Sequence, residues 1–260
     1  MQKRPGFPAR IDRPGTPTAA APTQRKPLIP ANVAVAAAPL GVGLDSAAVR
    51  NRMVQRLAAG GITNAAVLQA MATVERHRFV DTALVNQAYE DTSLPIGQGQ
   101  TISKPSVVAR MCELLLGAEL VRNGAGLARV LEVGTGCGYQ AAVLARLARE
   151  VYSIERLRGL HDKARDNLRH LRLPNAHLLL GDGMQGYAKG APYAGIIAAA
   201  GGEAVPAAWC EQLAVGGRLV APIAVAPGQQ MLLVIDRTPQ GLQQSVLEPV
   251  HFVPLKSGIA

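Results

Sequence analysis

The chain has 260 residues, of which 48% are hydrophobic and 17% charged, and its formal net charge at pH 7 is +9. This composition excludes a disordered or collagen-like chain, and the length allows one large domain or two small ones. The nearest candidate for a membrane span, Val33 to Val42, is about half of the ~20 residues required and contains Pro39. The three cysteines (Cys112, Cys137 and Cys210) are odd in number and far apart, which is typical of a reducing compartment and unlike a disulfide scaffold or a zinc site. We therefore expect a cytoplasmic protein.

The first 45 residues differ in composition from the rest of the chain. Eight of the 18 prolines lie there, with six basic and two acidic residues. Such a segment cannot bury enough apolar surface to offset its loss of conformational entropy. We therefore predict that residues 1–45 form a flexible tail and that residues 46–260 form a single domain. Phe, Trp and Tyr make up only 3% of the chain, so few side chains can stack on bases and a nucleic-acid partner is not expected.

Three helices are predicted before residue 117. The first follows the capping pair Asp45-Ser46, the second opens at Asn64, and the third covers about Ser106 to Leu116. Between the second and the third, residues 88–105 are rich in Gly, Gln, Thr and Ser. A polar stretch of this kind between two helices predicts a loop with a functional contact.

From residue 129 onward, short apolar runs alternate with segments of helical periodicity. Buried strands that alternate with helices predict an α/β fold with a doubly wound, mostly parallel sheet that is covered by helices on both faces. The last two strands are predicted to form an antiparallel pair that closes the sheet. The predicted strands are Arg129–Val133, Val151–Ile154, Ala176–Leu180, Gly195–Ala200, Arg218–Pro222, Met231–Asp236 and Ser245–Val250.

A glycine-rich loop follows the first predicted strand of this sheet. Its glycines at positions 134, 136 and 138 allow a sharp turn and the close approach of a ligand at the carboxyl edge of the sheet. The GxGxG spacing differs from the GxGxxG spacing of dinucleotide-binding loops. The next two strands end near Glu155 and Asp182. A carboxylate at the first position can accept hydrogen bonds from both hydroxyls of a ribose, and one at the second can accept from an adenine amino group.

Three acidic residues, Glu132, Glu155 and Asp182, thus stand at successive strand ends. Taken singly, each of them is more simply explained as a helix cap or a solvated strand end. Together, and without a P-loop lysine, they favour a nucleoside ligand that carries no phosphate. S-adenosylmethionine has a ribose, an adenine and a cationic sulfonium, and is the cofactor that we expect.

Two longer stretches carry a resemblance to a known family. They are residues 94–103, LPIGQGQTIS, and residues 130–145, VLEVGTGCGYQAAVLA, and shorter matches lie at Ala88–Asp91, Gly181–Gly183 and Phe252–Leu255. On these stretches the chain resembles the bacterial form of the protein-L-isoaspartate O-methyltransferase family, from about residue 49 to residue 255. The glycine loop is shared with many methyltransferases, whereas the LPIGxGQTIS stretch is peculiar to this family.

The resemblance implies a Rossmann-like methyltransferase fold and a repair activity. The methyl group of S-adenosylmethionine would be transferred to the free α-carboxylate of L-isoaspartyl residues in damaged proteins and peptides, leading to a succinimide and partial reversion to aspartyl. Ser103 would be the catalytic serine, as a hydrogen-bonding group that positions the carboxylate. The predicted cofactor-binding residues are Ile96, Gly97, Gln98, Gly99, Glu132, Gly134, Thr135, Gly136, Glu155, Asp182 and Gly183.

The chain departs from the family pattern just after the serine. Lys104 stands where the family usually has Gln or Ala, and Ser106 where it has an aromatic residue or His. One alternative is an S-adenosylmethionine-dependent methyltransferase of a small carboxylate or amine, and another is a nucleotide-binding or nucleic-acid-associated module that uses the basic tail. An NAD-dependent oxidoreductase is disfavoured by the GxGxG spacing. We predict no metal site, no membrane association and a monomer.

Overall fold

The structure of the protein is a computed structural model that describes residues 47–260. The predicted tail, residues 1–45, and the expected capping pair Asp45-Ser46 lie outside the described residues. None of the helices in the described part combines the length and the apolar character that crossing a membrane requires.

The first three α-helices lie before the main sheet in the chain, and a two-stranded hairpin separates the second helix from the third. The helices are α1 (Ala47–Ala59), α2 (Ala65–Thr73) and α3 (Pro105–Leu116), and the hairpin strands are β1 (Leu94–Gly97) and β2 (Gln100–Ile102). Asn64 caps α2, because its side-chain oxygen accepts hydrogen bonds from the N–H groups of Ala66 and Val67. The hairpin corrects the prediction of a loop for residues 88–105. Its turn is centred on Gln98, which together with the two flanking glycines adopts positive φ.

A seven-stranded sheet lies at the centre of the described part. Its strands in chain order are β3 (Leu127–Val133), β4 (Ala148–Glu155), β5 (Ala176–Leu180), β6 (Tyr193–Ala198), β7 (Leu213–Ala226), β8 (Gln229–Thr238) and β9 (Gly241–Val250). The spatial order is β5-β4-β3-β6-β7-β8-β9. The first five strands in this order are parallel, and β8 and β9 pair antiparallel with their neighbours. The predicted α/β fold with a mostly parallel sheet and a closing antiparallel pair is confirmed.

Alternate residues of the central strands point into two hydrophobic clusters, one on each face of the sheet. Within residues 47–260 the further α-helices are α4 (Glu119–Arg122), which precedes β3, and α5 (Tyr139–Leu144), α6 (Arg158–Arg169) and α7 (Ala207–Gln212). Val130 of β3 belongs to a cluster that also contains side chains of α3, α5 and α6. The next residue, Leu131, belongs to the other cluster, which contains Trp209 of α7. Burial on both faces explains why these strands read as nearly continuous apolar runs in the sequence.

The order of the strands reverses at β3. From β3 the chain adds β4 and β5 on one side and then returns to β6 on the other side. In open α/β sheets, ligands bind outside the carboxyl ends of the strands at such a point. Gly134 and Ala199 follow β3 and β6 there, and the N–H of Ala199 donates to the carbonyl oxygen of Val133 at 2.8 Å. The predicted glycine loop therefore lies where this fold binds ligands.

Candidate active site

A cavity of about 510 Å³, which we term the site cavity, opens at this edge of the sheet. Its volume lies within the range of small-molecule sites. Its walls include the β1–β2 hairpin, the loop after β3, the end of β4 and residues 253–256. Nine of the twelve predicted site residues line it: Ile96, Gln98, Gly99, Ser103, Gly134, Thr135, Gly136, Glu155 and Gly183.

The β1–β2 hairpin lies against the glycine loop. A Cβ placed on Gly136 would stand 3.2 Å from Cδ1 of Ile96, and the φ of Gly136 is +56°, so any side chain here would be both crowded and strained. Nζ of Lys163, on α6, donates to the carbonyl oxygen of Ile96 at 2.8 Å and ties the hairpin to that helix. The family-specific LPIGQGQTIS stretch thus forms one wall of the site cavity. Gly97, at the turn, is exposed and does not line it.

Glu155 is held by two backbone donors at the end of β4. Its Oε2 accepts a hydrogen bond from the N–H of Gly136 at 2.9 Å, and its Oε1 accepts one from the N–H of Leu157 at 2.9 Å. The residue is 5% exposed and lines the site cavity. A carboxylate oxygen can accept two hydrogen bonds, so each oxygen keeps a lone pair for a ligand hydroxyl. This orientation suits the predicted contact with a ribose.

Glu132 lies behind the site cavity and does not line it. The side chain is 0% exposed, and the hydroxyl of Ser153 donates to its Oε2. Ser153 also bonds the hydroxyl of Thr135, with 2.6 Å between the two oxygens. Burial raises the pKa of Glu132 to about 8, even though the hydrogen bond from Ser153 lowers it. Glu132 is therefore linked to the cavity through Ser153 and Thr135.

Asp182 and Gly183 follow β5, and only Gly183 lines the site cavity. The carboxylate of Asp182 accepts from the N–H of Met184 at 2.9 Å and from the N–H of Gly258 at 2.8 Å. Asp182 thus caps a short 3₁₀ turn and holds the segment near residue 258. A Cβ on Gly183 would stand 2.5 Å from Cγ1 of Val133, so a glycine is needed for this close approach. The contact of Asp182 with an adenine amino group stays a prediction.

Trp209 supports the cavity wall from behind, a role that the sequence analysis missed. Its Nε1 donates to the carbonyl oxygen of Gly183 at 2.8 Å, and the side chain is buried. Residues 253–255 and Lys256 also line the cavity. The match of Phe252–Leu255 to the family was a signal for this wall, but it gave no role to the individual residues.

Ser103 lies between β2 and α3 and faces the site cavity. The N-cap position of α3 belongs to Lys104, and the N–H of Ser106 in the first turn donates to Oδ1 of Asp91 at 2.8 Å. The hydroxyl of Ser103 makes no hydrogen bond within residues 47–260, so a role as the cap of α3 is not observed. Its donor and acceptor are both left for a ligand in the cavity.

The side chains that line the site cavity can position a ligand but include few proton acceptors. Of the described residues, those that line it include no histidine, and Glu155 is the sole acidic one. No group of three or more His, Cys, Asp or Glu in the described part is arranged to hold a metal ion. The cavity therefore suits a reaction whose nucleophile needs no side-chain base.

Comparison with known proteins agrees with this geometry. The family described as protein-L-isoaspartate(D-aspartate) O-methyltransferase matches residues 48–260. A protein-L-isoaspartate O-methyltransferase of Methylibium petroleiphilum is 57% identical over 263 residues, which cover 98% of this chain and 96% of that protein. One of Leptothrix cholodnii is 60% identical over 220 residues, which cover 84% of this chain and 77% of that protein.

Solved structures show the same similarity. A protein-L-isoaspartate O-methyltransferase structure superimposes with a TM-score of 0.71 at 27% identity and covers 81% of this chain and 67% of that chain. A Plasmodium falciparum structure in complex with S-adenosyl-L-homocysteine shares the fold, with a TM-score of 0.68, 23% identity and coverage of 80% and 98%. On the family match and these relatives, the chain belongs to the protein-L-isoaspartate O-methyltransferase family.

Proposed function

We propose that Ser103 and Glu155 have separate roles in a repair methyltransferase, Ser103 in positioning the substrate and Glu155 in binding the cofactor. The chain transfers the methyl group of S-adenosylmethionine to the free α-carboxylate of L-isoaspartyl residues in damaged proteins and peptides. In our assignment Glu155 binds the ribose of the cofactor and Ser103 positions the substrate carboxylate. The observation that carries this assignment is that Ser103, the glycine loop and Glu155 line one cavity.

The residues of the site cavity fit S-adenosylmethionine. Glu155 presents a fixed carboxylate to a ribose, and the backbone at Gly134 and Gly136 approaches the cavity without a Cβ. No lysine of a P-loop accompanies the glycines, in keeping with a cofactor that has no phosphate. When bound, the cofactor supplies an electrophilic methyl group on a positively charged sulfur.

The substrate carboxylate needs no general base, because a carboxyl group is ionised at pH 7. The chain has to place one carboxylate oxygen in line with the methyl group and to exclude water. Ser103 donates a hydrogen bond to the other oxygen and so fixes the orientation of the group. With S-adenosylmethionine bound, the new C–O bond would form as the C–S bond of the cofactor broke, and the electron pair of that bond would stay on sulfur.

Residues 253–255 form a fixed wall of the cavity. The N–H of Gly201 donates to the carbonyl oxygen of Val253 at 2.9 Å, and the N–H of Leu255 donates to the carbonyl oxygen of Gly201 at 2.7 Å. These bonds attach the segment just beyond the end of β6. Together with the hairpin, this wall limits the access of water to the reacting atoms.

The steps that follow formation of the methyl ester need no catalysis by the enzyme. The backbone nitrogen that follows the isoaspartyl residue attacks the ester carbonyl and expels methanol, which gives a succinimide. Water opens the ring to aspartyl or back to isoaspartyl. The chain therefore needs to catalyse only the first step, and repeated cycles convert the damaged residue.

A methylation assay with paired peptides tests this function. Two peptides of one sequence, one with L-isoaspartate and one with L-aspartate, are incubated with labelled S-adenosylmethionine. We expect label only in the isoaspartyl peptide, as a product that releases methanol in mild base. Equal labelling of both peptides, or a base-stable methylamine, would favour a methyltransferase of other carboxylates or of amines.

We further propose that the protein acts as a monomer in the cytoplasm. The cysteines Cys112, Cys137 and Cys210 are free thiols, in keeping with a reducing compartment. Light scattering at working concentration gives the mass of the particle. A dimer would contradict the monomer proposal.

A further inference from the structure

A second cavity of about 510 Å³, which we term the side cavity, is lined at two places by residues that lie close in the chain to residues of the site cavity. At one place Ser103 lines the site cavity, and Ser106 lines the side cavity. At the other place Val253 lines the site cavity and Val250 the side cavity. Three residues of extended chain span at most about 11 Å, so the two residues of each pair, and with them the two cavities, lie within about that distance of each other.

The lining of the side cavity is mainly apolar. Met53 and Leu57 of α1 contribute to it, together with Ile62 and, from β8, Leu232. These four side chains are buried in the structure. A side chain that entered the cavity would therefore meet a hydrocarbon surface close to the proposed catalytic serine.

The charged groups at the side cavity already have hydrogen-bond partners within the protein. Nε of Arg110 donates to Oε1 of Glu248 at 2.7 Å, and Arg56 donates to a backbone carbonyl oxygen at 2.6 Å. Asp91 accepts from the N–H and the hydroxyl of Ser106, at 2.8 and 2.7 Å. A charged ligand group would have to compete with these contacts. The lining therefore selects an apolar group rather than an ion.

We propose that the side cavity binds an apolar side chain of the substrate polypeptide, about three residues from the isoaspartyl residue. This inference rests on the proposed function, because it places the isoaspartyl carboxylate at Ser103. An extended substrate advances about 3.3 Å per residue, so about three residues cover the span between the two cavities. Burial of one apolar side chain adds to binding in proportion to the area removed from water. The enzyme thereby prefers damaged sites that have an apolar residue nearby.

The test uses the full chain and a panel of isoaspartyl peptides. Each peptide carries one leucine, at two or three residues before or after the isoaspartate, and serine at the other three positions. An all-serine peptide is the reference. We expect leucine at one position to raise kcat/KM by about tenfold over the reference, as one added apolar group does in a matching pocket.

Variants that fill the side cavity show where the leucine binds. Ser106→Phe introduces a bulky ring, and Ser106→Ala is the matched control, because it removes the hydroxyl bond to Asp91 without filling the cavity. The leucine-to-serine ratio of kcat/KM is expected to fall toward one in Ser106→Phe and to stay near tenfold in Ser106→Ala. Val107→Trp, at another residue of the lining, provides a second filler if thermal unfolding shows that Ser106→Phe is not folded.

Three outcomes overturn the inference. The first is a leucine-to-serine ratio of kcat/KM near one at every position in the wild type, and the second is a ratio that both Ser106→Phe and Val107→Trp leave unchanged. The third is a preference for leucine that appears only after residues 1–45 are deleted, which would assign the side cavity to the N-terminal segment. Failure to methylate any isoaspartyl peptide would instead contradict the proposed function.

Discussion

The backbone N–H of Gly136 donates a 2.9 Å hydrogen bond to Oε2 of Glu155. One contact thus joins the glycine loop after β3 to the acidic end of β4. The backbone N–H of Leu157 donates a second hydrogen bond, to Oε1 of Glu155, and the two bonds together leave the carboxylate little freedom to rotate. The two parts of the predicted nucleoside site therefore form one rigid unit before any ligand binds, which lowers the entropy cost of binding.

Replacement of Glu155 by alanine should weaken cofactor binding more than it slows a saturated enzyme. A hydrogen bond to a charged group contributes about 1.5–3 kcal/mol, so we expect the Kd of S-adenosylmethionine to rise at least tenfold. Isothermal titration calorimetry measures this Kd. Glu150→Ala is the control, because Glu150 also belongs to β4 but pairs with His177 and does not line the cavity. An unchanged Kd in Glu155→Ala would contradict the ribose assignment.

Glu132 should make the stability of the protein depend on pH. Its pKa of about 8 in the folded state lies above the ordinary value of about 4.3 that applies to the unfolded chain. The folded state then holds the proton more tightly, so this contribution to stability is complete below pH ~4.3 and is lost as the pH rises toward 8. Glu132→Gln removes the titration. The free energy of unfolding of the wild type, relative to this variant, should fall between pH 5 and pH 8.

Urea denaturation at pH 5, 6.5 and 8 measures this difference. Glu203→Gln, at an exposed glutamate, serves as the control. A difference between wild type and Glu132→Gln that stays constant with pH would show that Glu132 is ionised in the folded protein.

The parallel strands were predictable because their signal is local. Ala176–Leu180 is bounded in the structure as predicted, and β3 begins at Leu127, two residues before its predicted start. β3 and β6 are mostly buried on both faces, so they read as apolar runs whatever their neighbours are, and β5 also reads as an apolar run although it is only half-buried. The placement of Glu155 beside the glycine loop followed from the rule that the carboxyl ends of parallel strands meet at one edge of the sheet.

The hairpin and the supports of the site were not predictable in this way. β1 and β2 have four and three residues, too few for an alternating pattern to be recognised, and Gln98 adopts positive φ without being a glycine. The bond from Trp209 to Gly183 depends on how α7 packs on the sheet. Asp182 stands directly after a parallel strand, as a ligand-binding acidic residue would, but in the structure its carboxylate accepts hydrogen bonds from backbone N–H groups.

Trp209→Phe should lower both stability and cofactor affinity. The variant keeps an aromatic ring but loses the donor to Gly183, a residue of the cavity lining. Loss of a buried hydrogen bond costs about 1–3 kcal/mol, and the loosened loop should raise the Kd of S-adenosylmethionine severalfold. Tyr193→Phe is the control, because it removes the bond of a hydroxyl to Tyr187 away from the cavity lining. Equal Kd values for the two variants would leave Trp209 with a role in stability alone.

Deletion of residues 1–45 should leave stability and turnover close to those of the full chain. The proline-rich composition of this segment provides little apolar surface for a core, and the family match begins at residue 48. Thermal unfolding and the isoaspartyl peptide assay on both forms provide the comparison. A large drop in Tm or in kcat would show that the segment is part of the fold.

Ser103→Ala should lower turnover on an isoaspartyl peptide while cofactor affinity stays unchanged. The hydroxyl faces the site cavity and has no partner within residues 47–260, so its removal should cost the folded protein little. Loss of one group that positions the carboxylate reduces the rate on the order of 100-fold, because a small misplacement of the reacting oxygen is costly. Ser103→Thr keeps a hydroxyl and should retain part of the activity, since no covalent bond to the side chain is formed.

Turnover, the Kd of S-adenosylmethionine and Tm together decide the role of Ser103. Ser93→Ala, at an exposed serine of the same polar segment outside the cavity lining, is the matched control. If Ser103 only stabilised the start of α3, Ser103→Ala would lower stability by about 1 kcal/mol and leave turnover intact. The structure argues against that role, because Lys104 occupies the N-cap position and Asp91 accepts from the first turn. A wild-type rate in Ser103→Ala would therefore remove the residue from the mechanism.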